Sequence, residues 1–147
     1  MNHCASISYT YSEPTIHYEH NRAVGIEARR AGLKNVFVTN GMMTVDVARD
    51  AAENFLDGAN VDLKAMRSET YREHCKAGKR GLETVLESIS ELHHRGVWVE
   101  VTTLVIPGIN DDFEGSAPDM GAVESSPSIF SDGFESGDLA AWSNSVP

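Results

Sequence analysis

The sequence has 147 residues, of which 41% are hydrophobic and 23% charged, and its formal net charge is −10. This composition is typical of one globular domain and excludes a fully disordered chain, a collagen-like repeat and a coiled-coil rod. No apolar run approaches the roughly 20 residues that cross a bilayer, which excludes a membrane-helix protein. The negative charge argues against nucleic acid and against an anionic membrane as partners.

Strand and helix patterns alternate along most of the chain. Thr44 is a predicted N-cap, and Gly32 and Gly96 are predicted helix ends. The expected order is a strand at 5–11, a helix at 15–31, a strand at 35–39, a helix at 45–56, a strand at 59–63, a short helix from Ser68, a helix at about 82–92 and a strand at 97–106.

This alternation predicts an α/β fold. Strands that are apolar on both faces and separated by amphipathic helices indicate a parallel sheet with right-handed crossovers. On the pattern alone, both a doubly wound sheet and part of a (β/α) barrel remain open.

Each predicted strand ends in polar residues. In either architecture the active residues lie beyond the carboxyl ends of the strands, so we expect these side chains to share one site. Each one also has a structural interpretation, as a helix-end charge, a turn or an ion pair. The residues are Ser12 and Glu13, then Thr39 and Asn40, then Asp62 and Lys64, and finally Thr102 and Thr103.

Four segments carry a resemblance to a known family. They are YTYSEPT at 9–15, LKNVFVTNG at 33–41, ANVDLK at 59–64 and GVWVEVTTLVIPGIN at 96–110. Together they resemble the radical SAM superfamily, most closely the radical SAM enzyme of the AmmeMemoRadiSam system and the pyruvate formate-lyase activating enzymes. The resemblance covers roughly residues 3–111.

The resemblance implies a partial (β/α) barrel with parallel strands, an incomplete radical SAM core. It also implies two cofactors, S-adenosylmethionine and a 4Fe-4S cluster held by a CxxxCxxC loop. In the family the cluster reduces the sulfonium, and the resulting 5′-deoxyadenosyl radical abstracts hydrogen from a substrate. The substrate is unknown, and no catalytic residue and no metal ligand is assigned in this chain.

The resemblance also implies cofactor-binding roles at the strand ends. The segment Tyr11-Ser-Glu-Pro14 takes the place of the Gly-Gly-Glu motif, whose carboxylate contacts the amino group of S-adenosylmethionine, and Ser12 and Glu13 are its candidate residues. Thr39 and Asn40 match a TNG segment. The remaining candidates are Asp62 and Lys64 of a DLK motif, where the lysine suits the cofactor carboxylate. Val38 and Thr102 replace an Asp and an Arg of the activating enzymes, so those two contacts are not carried over.

The cluster ligands are absent from this sequence. Its two cysteines, Cys4 and Cys75, are far apart, and three thiolates are required. We therefore expect a fragment that lacks the first unit of the barrel and is inactive alone. An open barrel edge predicts self-association or completion by another chain. Two cysteines without a signal peptide predict a cytoplasmic protein.

The composition changes near Asp111. All 12 basic residues lie between Arg22 and Arg95, whereas residues 111–147 contain 8 of the 22 acidic residues and no base. We expect a partial barrel at 1–110 and an acidic Gly/Ser/Pro-rich tail at 111–147, disordered or irregular.

Two other functions compete with the enzyme fragment. The first is a non-catalytic α/β module that binds a small anion or a partner through the same strand ends. The second is a secreted or surface appendage that acts through the tail alone, and it requires an export signal that the sequence does not show.

Overall fold

The structure, a computed structural model, describes residues 4–110. The chain divides into two compact units, Met1–Leu104 and Val105–Pro147. The helices and strands of residues 4–110 all lie in the first unit, and the described part of the second is a turn at residues 106–110. The predicted tail lies outside the described residues, and the boundary at 110/111 stays a prediction.

The helices and strands follow the predicted order. A short 3-10 helix at Pro14–His17 precedes the first α-helix. The elements are β1 (Ser6–Tyr9), α1 (Tyr18–Arg30), β2 (Lys34–Thr39), α2 (Val45–Asn54), β3 (Gly58–Asp62), α3 (Ser68–Glu73), α4 (Gly81–His94) and β4 (Trp98–Thr102).

The four strands form one parallel sheet in the order β1-β2-β3-β4. Each crossover leads to the adjacent strand, and right-handed crossovers of this kind put every helix on the same face of the sheet. A doubly wound sheet would reverse its strand order, and this sheet does not. The prediction of a partial (β/α) barrel is therefore confirmed.

The core lies between the sheet and its helices. Phe37 and Val61 are fully buried, and they pack with Phe55, Val85 and other apolar side chains of the helix layer. Successive side chains of a strand point to opposite faces. On the face without helices, Val38 is 40% exposed and Trp98 is 72% exposed. This open face corresponds to the interior of a complete barrel.

Both outer strands are shorter than predicted because pairing with the neighbouring strand limits them. β1 pairs with β2 from Ser6 to Tyr9. The strand β4 pairs with β3 up to Thr102, whose carbonyl accepts a last bond from Leu63 N–H at 2.9 Å. Beyond it, the Thr103 hydroxyl donates to the Leu63 carbonyl at 2.9 Å.

The helix ends have local explanations in the sequence. The Thr44 hydroxyl accepts a bond from Val47 N–H at 3.3 Å, which confirms the predicted N-cap of α2. Gly32 and Gly96 follow α1 and α4 with a φ of +81° each, a conformation that glycine adopts without strain. Among residues 4–110, no helix combines the length and the apolar character needed to cross a membrane.

Two glycines allow close packing inside the helix layer. A Cβ at Gly25 of α1 would overlap the ring of Phe55, so the glycine lets α1 approach the core. A Cβ at Gly41 would lie 2.9 Å from side-chain atoms of both Val61 and Val85. The carbonyl of Gly41 accepts a bond from the buried Ser88 hydroxyl of α4 at 2.8 Å, which fixes α4 against the turn after β2.

Candidate functional site

The predicted site residues lie at one edge of the sheet. Because all four strands are parallel, their carboxyl ends meet at that edge. Ser12 and Glu13 follow β1. Thr39 ends β2 and Asn40 follows it, and Asp62 ends β3, with Lys64 two residues beyond it. We call this edge the rim.

Glu13 connects the ends of the first two strands. Its Oε1 accepts hydrogen bonds from the Thr39 hydroxyl at 2.6 Å and from both the hydroxyl and the N–H of Thr15, at 3.0 and 3.4 Å. Its Oε2 accepts a bond from Asn40 N–H at 2.8 Å. Each carboxylate oxygen has two lone pairs. Oε1 has three donors, whereas within residues 4–110 Oε2 has one, so one acceptor position on Oε2 has no donor. The fixed carboxylate can therefore bind one further cationic or N–H donor at the rim.

The polar side chains that end β2 have structural roles. Thr39 is 3% exposed, and its hydroxyl also accepts a bond from Gly41 N–H at 3.1 Å. The side-chain oxygen of Asn40 accepts a bond from Met42 N–H at 2.8 Å. These bonds form the turn after β2 and hold Glu13 in place, so Thr39 and Asn40 support the site through Glu13.

Asp62 and Lys64 form an ion pair at the end of β3. The Asp62 Oδ2 accepts from the Lys64 ammonium, whereas its Oδ1 is buried and, within the described residues, has no hydrogen-bond partner. An unsatisfied buried carboxylate oxygen is costly, and a ligand donor or cation at the rim would remove that cost.

The buried residue Tyr71 of α3 anchors this second pair. Its hydroxyl accepts a bond from Lys64 N–H at 3.1 Å. Tyr71 is 2% exposed, and burial raises the pKa of its phenol above the usual value. Sequence reasoning missed this contact; the available signal was an aromatic residue in the short helix that follows the DLK segment.

The rim has two clusters, Glu13 with Thr39 and Asp62 with Lys64, and they lie on different sides of the sheet. Thr39 is in register with Val61, and both face the helix layer. Asp62 follows Val61 and therefore faces the open side, where it is in register with Thr102. Neighbouring strands lie about 4.8 Å apart, so a ligand that contacts both clusters must span the ends of β2 and β3.

Within residues 4–110, neither Ser12 nor the two cysteines make a hydrogen bond to the side chains of Glu13, Asp62 or Lys64. Ser12 is exposed beside Glu13. Cys4 and Cys75 are free and exposed, and in residues 4–110 no three His, Cys, Asp or Glu side chains are grouped to hold a metal ion. A shallow cavity opens at the opposite edge, where Lys34, Gly58 and Trp98 begin their strands, and none of the predicted site residues lines it.

Comparison with known proteins identifies relatives in sequence and in structure. The sequence profile of the Radical SAM superfamily matches residues 1–117. The chain is 38% identical over 111 residues to an uncharacterized protein of Methanocaldococcus jannaschii, an alignment that covers 76% of this chain and 31% of the relative. It therefore spans less than a third of that protein's length.

A solved structure shares the fold. A domain of pyruvate-formate lyase-activating enzyme from Bacteroides vulgatus superposes with a TM-score of 0.62 at 18% identity, covering 74% of this chain and 65% of that one. At this identity the similarity establishes the architecture, a partial (β/α) barrel, and not the chemistry.

The Tyr71 contact leads to a stability prediction. Tyr71→Phe keeps the buried ring but removes the acceptor of Lys64 N–H, so we expect a loss of about 1–2 kcal/mol in the free energy of unfolding. Urea denaturation measures this loss, and amide exchange at Lys64 should become faster. Tyr11→Phe is the matched control, because that hydroxyl is fully exposed and its removal should change stability by less than about 0.5 kcal/mol. Equal stability of Tyr71→Phe and the wild type would contradict the anchoring role.

Proposed function

The chain belongs to the radical SAM superfamily, and we propose that it is part of a radical SAM enzyme whose rim binds the methionine end of S-adenosylmethionine. The observation that carries this proposal is the Glu13 carboxylate, which is fixed across the ends of β1 and β2 with one acceptor position left on Oε2. A carboxylate in that state is suited to an ammonium group.

The residues of the rim fit the cofactor's amino-acid group. In the proposed arrangement Glu13 binds the ammonium and Lys64 binds the carboxylate, while Asp62 orients Lys64 through their ion pair. The unsatisfied Asp62 Oδ1 provides an acceptor for another donor at the same place. Ser12, Thr39 and Asn40 belong to the proposed site as neighbours that shape the Glu13 segment.

The residues of this chain do not fit the iron–sulfur cluster. In the superfamily the cluster supplies the electron that cleaves S-adenosylmethionine. Its three thiolates cannot come from a sequence with two cysteines, and Cys4 and Cys75 are both exposed and free. We therefore propose that this chain alone binds the cofactor's amino-acid group but does not carry out the radical reaction.

A non-catalytic binding module is the second candidate. It uses the same rim residues to hold a small anion, and the missing thiolates favour it for this chain in isolation. For either function we propose a small-molecule ligand rather than nucleic acid, because the net charge is −10. We also propose a cytoplasmic location, which the two unpaired cysteines support.

Binding of S-adenosylmethionine tests the proposed site. Titration calorimetry should detect binding to the wild type, with affinity about tenfold lower in Glu13→Gln and in Lys64→Met because each removes one charge-assisted contact. Lys79→Met, on an exposed connection between α3 and α4, is the control and should bind as the wild type does. No binding to the wild type, or equal binding to all four proteins, would contradict the proposal.

Cluster reconstitution tests the predicted inactivity. After anaerobic incubation with iron and sulfide, we expect this chain to remain colourless and to release no 5′-deoxyadenosine from S-adenosylmethionine under reducing conditions. A brown protein with the absorbance bands of a 4Fe-4S cluster would show that the two cysteines suffice with other ligands.

We also propose self-association through the open sheet edges. The Trp98 N–H donates to the Asp57 carbonyl and the Thr102 carbonyl accepts from the Leu63 N–H, so the backbone groups of both residues point towards β3. Val101 precedes Thr102, so its N–H and carbonyl point away from β3, to the outer edge of β4. Sedimentation velocity should show concentration-dependent association that Val101→Pro reduces, because proline removes an outward N–H. Val24→Thr, exposed on α1, is the control. A wild type that stays monomeric at every concentration would refute this.

A further inference from the structure

Tyr11 has an unfavourable backbone conformation next to the proposed site. Its φ is +72°, in the left-handed region that residues with a side chain rarely adopt. Within residues 4–110, Lys76 is the other non-glycine residue with a positive φ, at +55°. Such strain persists where the surrounding structure imposes it, and it occurs often at ligand sites.

The Tyr11 side chain has no role in the described fold. Its relative exposure is 106%, and it makes no hydrogen bond or ring contact with residues 4–110. The neighbouring Tyr9 differs, because it packs edge-on against Phe37 and Phe55 and donates a bond to Asn35 at 2.8 Å. Packing against the protein therefore does not explain why an aromatic ring is present at position 11.

The position of Tyr11 is fixed from both sides. β1 ends at Tyr9, and two residues after Tyr11 the Glu13 carboxylate is bonded to Thr39 and Asn40. Two residues span at most about 7 Å between Cα atoms, so Tyr11 lies at the rim within that distance of Glu13. A ligand whose ammonium binds Glu13 would therefore have the Tyr11 segment within reach of its other groups.

We propose that Tyr11 is a specificity-determining residue whose ring packs on the adenine of S-adenosylmethionine. This inference rests on the proposed function and extends it from the methionine end of the cofactor to the nucleoside end. An exposed aromatic ring offers a flat apolar surface, and bases stack on such rings with a substantial gain in affinity. Glycine would relieve the backbone strain at this position, but it has no ring that could pack on adenine.

A substitution by glycine separates strain from binding. Tyr11→Gly relieves the left-handed conformation, so its melting temperature should rise, as it should in the control Lys76→Gly. Tyr11→Gly should also weaken S-adenosylmethionine binding by between about fivefold and a hundredfold, the range expected for loss of one stacked base. Lys76→Gly should leave binding unchanged, and Tyr11→Phe, which keeps the ring, should bind as the wild type does.

Free methionine identifies the end of the ligand that Tyr11 contacts. Titration calorimetry with methionine should give the same affinity for Tyr11→Gly and the wild type, because methionine lacks the adenine. Equal S-adenosylmethionine affinity in those two proteins would overturn this inference and leave the proposed function intact. A parallel loss of methionine binding, or a lower melting temperature in Tyr11→Gly, would also overturn it. Failure of the wild type to bind S-adenosylmethionine would overturn the inference together with the proposed function.

Discussion

The carboxylate of Glu13 determines the geometry of the rim. It accepts bonds from the Thr39 hydroxyl at 2.6 Å and from the Asn40 N–H at 2.8 Å, groups that lie 26 and 27 positions further along the chain. A parallel pair of strands shares backbone bonds only along the strands themselves, so the loops beyond them need other contacts to be ordered. Glu13 supplies these contacts with a charged group, and the same group stays open for one more donor.

The two clusters at the rim differ in how the chain supports them. Glu13 is held by the turn after β2, which is itself packed against α4 through the Ser88 hydroxyl. The segment that carries the ion pair of Asp62 and Lys64 is fixed by the buried hydroxyl of Tyr71, which accepts a bond from the Lys64 N–H. In both cases the helix layer, on one face of the sheet, fixes polar groups at its edge. This explains how a four-stranded sheet, open on its other face, can present charged groups in defined positions.

Local patterns predicted the fold well and the contacts of the site poorly. The alternation of strands and helices, the cap at Thr44 and the candidate residues at the strand ends follow from residue type and spacing within short windows. The bond from Thr39 to Glu13 and the bond from Lys64 to Tyr71 depend on which segments become neighbours in space. The conformation of Tyr11 had no sequence signal, because a positive φ is usually marked by glycine or asparagine.

The separation of the two clusters has a thermodynamic consequence. Glu13 reaches the rim with Thr39, which faces the helix layer, whereas Asp62 lies on the open side. A ligand that contacts both clusters connects the ends of β1 and β2 with the end of β3. The fraction of molecules that have this connection depends on the ligand concentration. Occupancy would then restrict relative motion of the strand ends, and part of the binding free energy would be spent on this ordering. Any change that stiffens the rim beforehand would appear as tighter binding without a new contact.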